Sequence, residues 1–250
     1  MIKVMKKKIS YFSLLTFSFS SVFSNFLKFI KISSVPFLLC IPLSYLQTYI
    51  VLQTPLNKII GMFIMATGLF TLPIFFAFLT NWHRYIIFDG KKPWKFKLIE
   101  FSNNTLKFTK ATILIFLLIS IPYFASILLS FYLGLKFNFG LYIIIIQWGL
   151  MFLFLYLYSK LALIFPAAAA GHSISLKRIF NLSKGYFWKI LGGFLTFSLI
   201  FVIPSIIIAK IIGTSFIGSI YLNLFLFIII FIFLAMNASW LSKIYRDINS

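Results

Sequence analysis

Six stretches of the chain, at roughly 34–53, 59–81, 111–134, 141–165, 190–212 and 217–241, are apolar for about twenty residues or more. A helix needs about 20 such residues to cross the hydrocarbon core of a bilayer. Lipid supplies no hydrogen-bond partners, so the backbone in such a stretch has to satisfy itself, and among single segments only the helix does that. The connections 54–58, 135–140 and 213–216 are short, whereas 82–110 and 166–189 are longer and basic. The expected fold is therefore all-α: an integral membrane protein of about six transmembrane helices in one polytopic domain over residues 1–250. Composition agrees, because 62% of residues are hydrophobic and only 10% charged, against about a quarter charged in a water-soluble domain. A core of this size could not hide that apolar surface, and the surplus must face lipid.

The positive charge is distributed unevenly. Lys3, Lys6, Lys7, Lys8, Lys28 and Lys31 fall on one expected side, with Arg84, Lys91, Lys92, Lys95, Lys97, Lys107 and Lys110 in the second-to-third connection. Lys177, Arg178, Lys184, Lys189, Lys243 and Arg246 complete that side, and only Lys58, Lys136 and Lys210 fall on the other. The positive-inside rule then places both termini in the cytoplasm. A net charge of +20 could point to nucleic acid, but the basic residues sit in short blocks flanking apolar stretches. That pattern fits loops at an anionic membrane surface, where each nearby Lys or Arg contributes roughly 1 kcal/mol, and no nucleic-acid partner is expected.

Three segments read as amphipathic helices lying in the interface. In the first, Phe12, Leu15, Phe19, Val22, Phe23, Phe26 and Ile30 share a face opposite Ser13, Ser20, Ser21, Ser24 and Lys28. Those serines make the segment a poor cleavable leader. In the second, Trp94, Leu98, Phe101 and Phe108 form the stripe. In the third, Leu176, Ile179, Phe180 and Phe187 lie opposite Lys177, Arg178, Asn181 and Lys184. The chain thus reads as three units, 1–82, 83–170 and 171–250, each an interfacial helix followed by two spans. Residues 24–31 (SNFLKFIK) and 103–110 (NNTLKFTK) match at five of eight positions, and Lys31, Lys110 and Lys189 are spaced 79 residues apart. Each of these lysines precedes a span carrying an Ile-Pro step, at Pro42, Pro122 or Pro204, although Lys, Phe and Ile are common throughout. With Pro73, these prolines are the expected span kinks, since each removes a backbone hydrogen bond.

Candidates for chemistry are few. The expected spans contain no Asp or Glu, the usual carriers in ion-coupled transport, and Asp89, Glu100 and Asp247 are scattered among loops and tail. Cys40 is the only cysteine, so a disulfide framework and a cysteine-rich zinc site are excluded. Gly213-Thr214-Ser215 begins like a nucleophile elbow, but the next glycine, Gly218, comes one residue late, on the side opposite both histidines. His83 and His172 are those histidines, with Asp89 the one plausible third ligand, so no metal and no cofactor are expected. Trp82-His83-Arg84-Tyr85 is the most informative polar cluster. Its Trp and Tyr suit interface anchoring, while Arg84, with Lys91 and Lys92, suits a headgroup phosphate. Lys160, near the end of the fourth span, is expected to snorkel to the interface.

Trp82-His83-Arg84 and the stretch LALIFPAAAAGHSISLKRIFNLSKGYFWKI from Leu161 resemble a widespread family of uncharacterised bacterial inner-membrane proteins. The shared features are the Pro-Ala-rich turn Pro166–Gly171, the amphipathic helix Leu176–Leu182, and the step Ser183-Lys184-Gly185 before Trp188. Tyr245-Arg246-Asp247 also fits, and Lys160 stands where the family often has Arg. More distantly, the layout is similar to the membrane domain of some glycerophosphodiester phosphodiesterases, whose catalytic domain has no counterpart here. The resemblance implies a bacterial cytoplasmic membrane and no defined activity. The leading expectation is a non-catalytic envelope protein that organises anionic lipid or a partner membrane protein, through Trp82, His83, Arg84, Lys91, Lys92, Lys177, Arg178 and Lys184. A passive channel or small-molecule transporter between proline-bearing spans is the alternative. A lipid-headgroup enzyme using His83 and His172 comes third.

Overall fold

The structure is a computed structural model that describes residues 10–53, 58–90, 103–137, 140–172, 175–212 and 216–249. Every regular element among them is an α-helix: α1 (Tyr11–Phe23), α2 (Phe26–Gln53), α3 (Lys58–Ile87), α4 (Asn103–Phe137), α5 (Gly140–Leu161), α6 (Ile164–Ala169), α7 (Leu176–Leu182), α8 (Phe187–Ile212) and α9 (Phe216–Asn249). Four stretches of the described residues, Phe26–Leu43, Gln147–Ala169, Phe187–Ile208 and Phe225–Asn249, are long and apolar enough to cross a membrane. The chain is built as a helical membrane protein.

The helices outrun the apolar stretches that mark them. α2 and α4 each begin eight residues before the expected spans, and α9 runs to Asn249. Hydropathy locates the hydrocarbon segment, whereas the helix continues until its hydrogen-bond ladder is interrupted. The expected fourth span shows such an interruption: it breaks at Ala162-Leu163, and α6 restarts at Ile164. Pro166 sits in the first turn of α6, where its missing N–H costs nothing. By contrast, Pro42, Pro73 and Pro204 lie inside α2, α3 and α8, which remain unbroken through them.

Among the residues whose burial is described, the core gathers where the basic ends of the helices meet. α9 is the central post, packed by α1, α2, α3, α6 and α8. Phe78 and Trp82 of α3, Phe29 of α2 and Phe231 of α9 are buried together, with Phe78 and Phe231 edge-to-face at 4.9 Å and Phe29 and Trp82 at 5.7 Å. The small residues Ala162, Ala167, Ala168 and Ala169 are also buried, which lets α6 pack closely on α3 and α4. Gly193 has the tightest crossing: a Cβ there would lie 2.4 Å from the Trp240 ring, so only glycine lets α8 lie against that indole.

The first interfacial helix is rotated relative to its expected orientation. Leu14, Ser18, Ser21 and Val22 are its buried residues, while Phe12 and Phe23 are 76% and 53% exposed. Ser21 therefore does not lie on an outward polar face; its hydroxyl donates to Ser239 Oγ at 2.7 Å. Three sides result, one packed on protein, one presenting Phe12 and Phe23, and one presenting Ser13, Thr16 and Ser20. α7 follows expectation in part: Ile179 is buried, Phe180 is half-buried, and Lys177, Arg178 and Asn181 are exposed, but Leu176 is exposed as well and Phe187 belongs to α8. Trp94, Leu98 and Phe101 lie outside the described residues, and Phe108 is buried within α4. Lys31, Lys110 and Lys189 each fall near the start of a long helix, α2, α4 and α8.

Candidate functional site

The polar residues of the basic end divide into an inner, hydrogen-bonded set and an outer, exposed one. α9 organises the inner set. Ala235, Ser239 and Ser242 recur at i, i+4 and i+7 and face α3, leaving a slot for large side chains. Trp82 fills it, fully buried, its Nε1–H donating to Ala235 O and Ser239 Oγ, both at 2.9 Å. His83 is buried beside it with Nδ1 2.7 Å from Ser242 Oγ. One turn further along α9, the Tyr245 hydroxyl lies 2.6 Å from Nδ1 of His172, whose side chain is exposed. Both histidines thus dock on α9, and no group of three metal-ligating side chains occurs among the described residues.

Neighbouring contacts seal the ends of these helices. Tyr85 donates to Asn25 Oδ1 at 2.9 Å, in the turn between α1 and α2. Arg246 pairs with Asp89 and donates to Ile86 O at 3.3 Å, capping α3 from α9. Asp89 and Gly90 both adopt positive φ, 50° and 67°, and the turn closes with Gly90 N–H donating to Tyr85 O at 3.0 Å. Lys243 pairs with Asp247 at 2.9 Å. Lys107 donates to Gly171 O at 2.8 Å, tying α4 to the end of α6. The phenol of Tyr186, in the turn before α8, is pushed above its ordinary range by burial and then by the Asp247 carboxylate.

Of the expected headgroup contacts, Trp82 and His83 face inward and do not reach the surface. Trp82 is a core residue rather than an exposed anchor, whereas Trp188 at the start of α8 is 78% exposed. Arg84 is half-buried and remains available, while Lys91 and Lys92 lie outside the described residues. Lys177, Arg178 and Lys184 are exposed, and none has a carboxylate partner among the described residues. Ser175, Lys177, Arg178, Asn181 and Leu182 line a shallow, open depression of about 450 Å³. Two cations, an amide and a hydroxyl on an open surface can attract an oxyanion, with Arg178 able to offer two parallel N–H groups. Lys160 ends its side chain among aromatic rings, with Nζ 5.3 Å from the Phe187 ring centre, 5.4 Å from Phe180 and 5.8 Å from Tyr156.

Nothing in sequence periodicity distinguished Arg246 and Asp89 as a pair, because 157 residues separate them. The docking face of α9 did carry a signal: small residues spaced to admit a neighbouring helix in a membrane. Comparison with protein-family models, with curated proteins and with solved structures finds no match to this chain.

Proposed function

We propose that this protein is a non-catalytic, six-span component of a bacterial cytoplasmic membrane that gathers anionic lipid at its basic face. Both termini lie in the cytoplasm in this reading, and three units of interfacial helix plus paired spans repeat along the chain. The observation that carries it is the α7 hollow, where Lys177 and Arg178 stand exposed without a carboxylate partner among the described residues. The exposed indole of Trp188 lies just beyond α7 and supports placement at headgroup depth. Attraction of such cations to an anionic leaflet falls off within a Debye length, so close placement matters more than total charge.

Native mass spectrometry of the protein, extracted gently from its own membrane, tests this reading. Replacing Lys177, Arg178 and Lys184 with Glu should strip retained anionic phospholipid, and unchanged retention overturns the proposal. A stoichiometric protein partner without selective lipid would make the same face a scaffold surface instead.

A further inference from the structure

We propose that Lys160 is the latch that holds α7 on the bundle, its ammonium seated in an aromatic cage built from three helices. Tyr156 stands one turn before Lys160 on α5, Phe180 comes from α7, and Phe187 opens α8. All three ring centres lie within 6 Å of Nζ, at 5.8, 5.4 and 5.3 Å, the range over which a cation is drawn to an aromatic face. The rings also meet each other, Tyr156 with Phe187 at 5.7 Å and with Phe180 at 6.5 Å. The lysine that a hydropathy argument sends to the interface therefore ends in a built receptacle.

α7 needs such a holder. It has only seven residues, Ile179 is its one buried side chain, and its N-cap Ser175 makes no side-chain capping bond. A helix this short is not stable alone. Its main bundle partner among the described residues is α5, the helix that carries both Lys160 and Tyr156. The ammonium is shared between α7 and α8, so its removal loosens Phe180 while leaving the α9 contacts of the core untouched. The inference stands whether or not α7 binds lipid.

The test uses the full chain in lipid nanodiscs, with Cys40 replaced by Ala and one reporter cysteine introduced, either Ser183→Cys at the buried C-cap of α7 or Ala238→Cys in the core. Maleimide labelling of each reports local opening. With Lys160 present both should label slowly. Lys160→Met keeps the stem and removes the charge, and should raise Ser183→Cys labelling about tenfold, the order expected when several cation–π contacts vanish. Ala238→Cys should stay protected, and Lys160→Arg should restore slow labelling of Ser183→Cys. In a Lys160→Ala background, added ethylammonium should slow labelling of Ser183→Cys by refilling the cage. Three results would each overturn the proposal: unchanged labelling in Lys160→Met, exposure of both reporters together, or no recovery with either Arg or ethylammonium.

Discussion

The two halves of α8 are both largely apolar and have different surroundings. In the first half, Gly193 lies against the Trp240 ring, Phe197 is fully buried, and Thr196 Oγ1 meets the Tyr11 hydroxyl at 2.6 Å. In the second half, Leu199, Val202, Ile203, Ile206 and Ile207 are 52% to 60% exposed. The first half is held mainly by other helices, whereas the second, although Phe201 meets Phe233 at 5.7 Å, leaves most of its described apolar side chains uncovered. Side-chain shape matters most before Leu199, and apolarity matters most along the exposed stripe after it.

The strongest way to break this comparison is to empty the packed half. Phe197→Ala should cost about 3–5 kcal/mol, the range for truncating a buried aromatic, because its ring meets Trp240 edge-to-face at 5.6 Å and Phe19 at 6.1 Å. Reversible unfolding in mixed micelles measures it; a loss below about 1 kcal/mol would mean the packed half is not a true core. Next comes a charge in the exposed half. Val202→Lys, nearer the middle of the span, should disfavour membrane insertion by about 2.5–3.5 kcal/mol, read by glycosylation mapping of inserted chains, and normal insertion would show that this face meets water.

A pair of glycines sharpens the same contrast at smaller scale. Gly193→Ala forces a methyl into the Trp240 ring and should destabilise by about 1–3 kcal/mol. Gly149→Ala has nothing within 4 Å of its new methyl and should be neutral or stabilising by about 0.5–1 kcal/mol, through helix propensity alone. Equal effects from the two would remove the distinction. The smallest expected change is Thr196→Val, which deletes the hydroxyl facing Tyr11 at nearly constant volume and should cost about 1 kcal/mol in the same unfolding measurement.

Helical class and apolar membrane-crossing stretches were legible in the sequence because lipid imposes one length scale and one backbone solution. Lys177 and Arg178 were legible as an exposed face of α7 because Ile179 and Phe180 leave them only the outward side. Trp82 and Ser21 were not. A single helical wheel records which residues are apolar, but α1 has protein, apolar and polar sides at once, and Ser21 faces the one that the wheel does not label. Trp82 looked like a rim anchor because Trp is common at that depth, whereas its position is set by small residues on a helix more than 150 residues later in the chain. The caging of Lys160 was also out of reach, since Tyr156 is its sequence neighbour but Phe187 is recruited by the fold.

α9 has a consequence for how the molecule is made. Every helix that docks on it is synthesised first, and Trp82 precedes Ser239 by 157 residues. At about 5–20 residues per second, that interval is roughly 8–30 s. Throughout it, the indole N–H of Trp82 exists without the α9 acceptors that later satisfy it, at the edge of a solvent that offers none. The growing chain must be sheltered by water at the membrane surface or by an insertion factor until α9 arrives, and a chain stalled before Ala235 would display an open polar seam to the cell's membrane proteases.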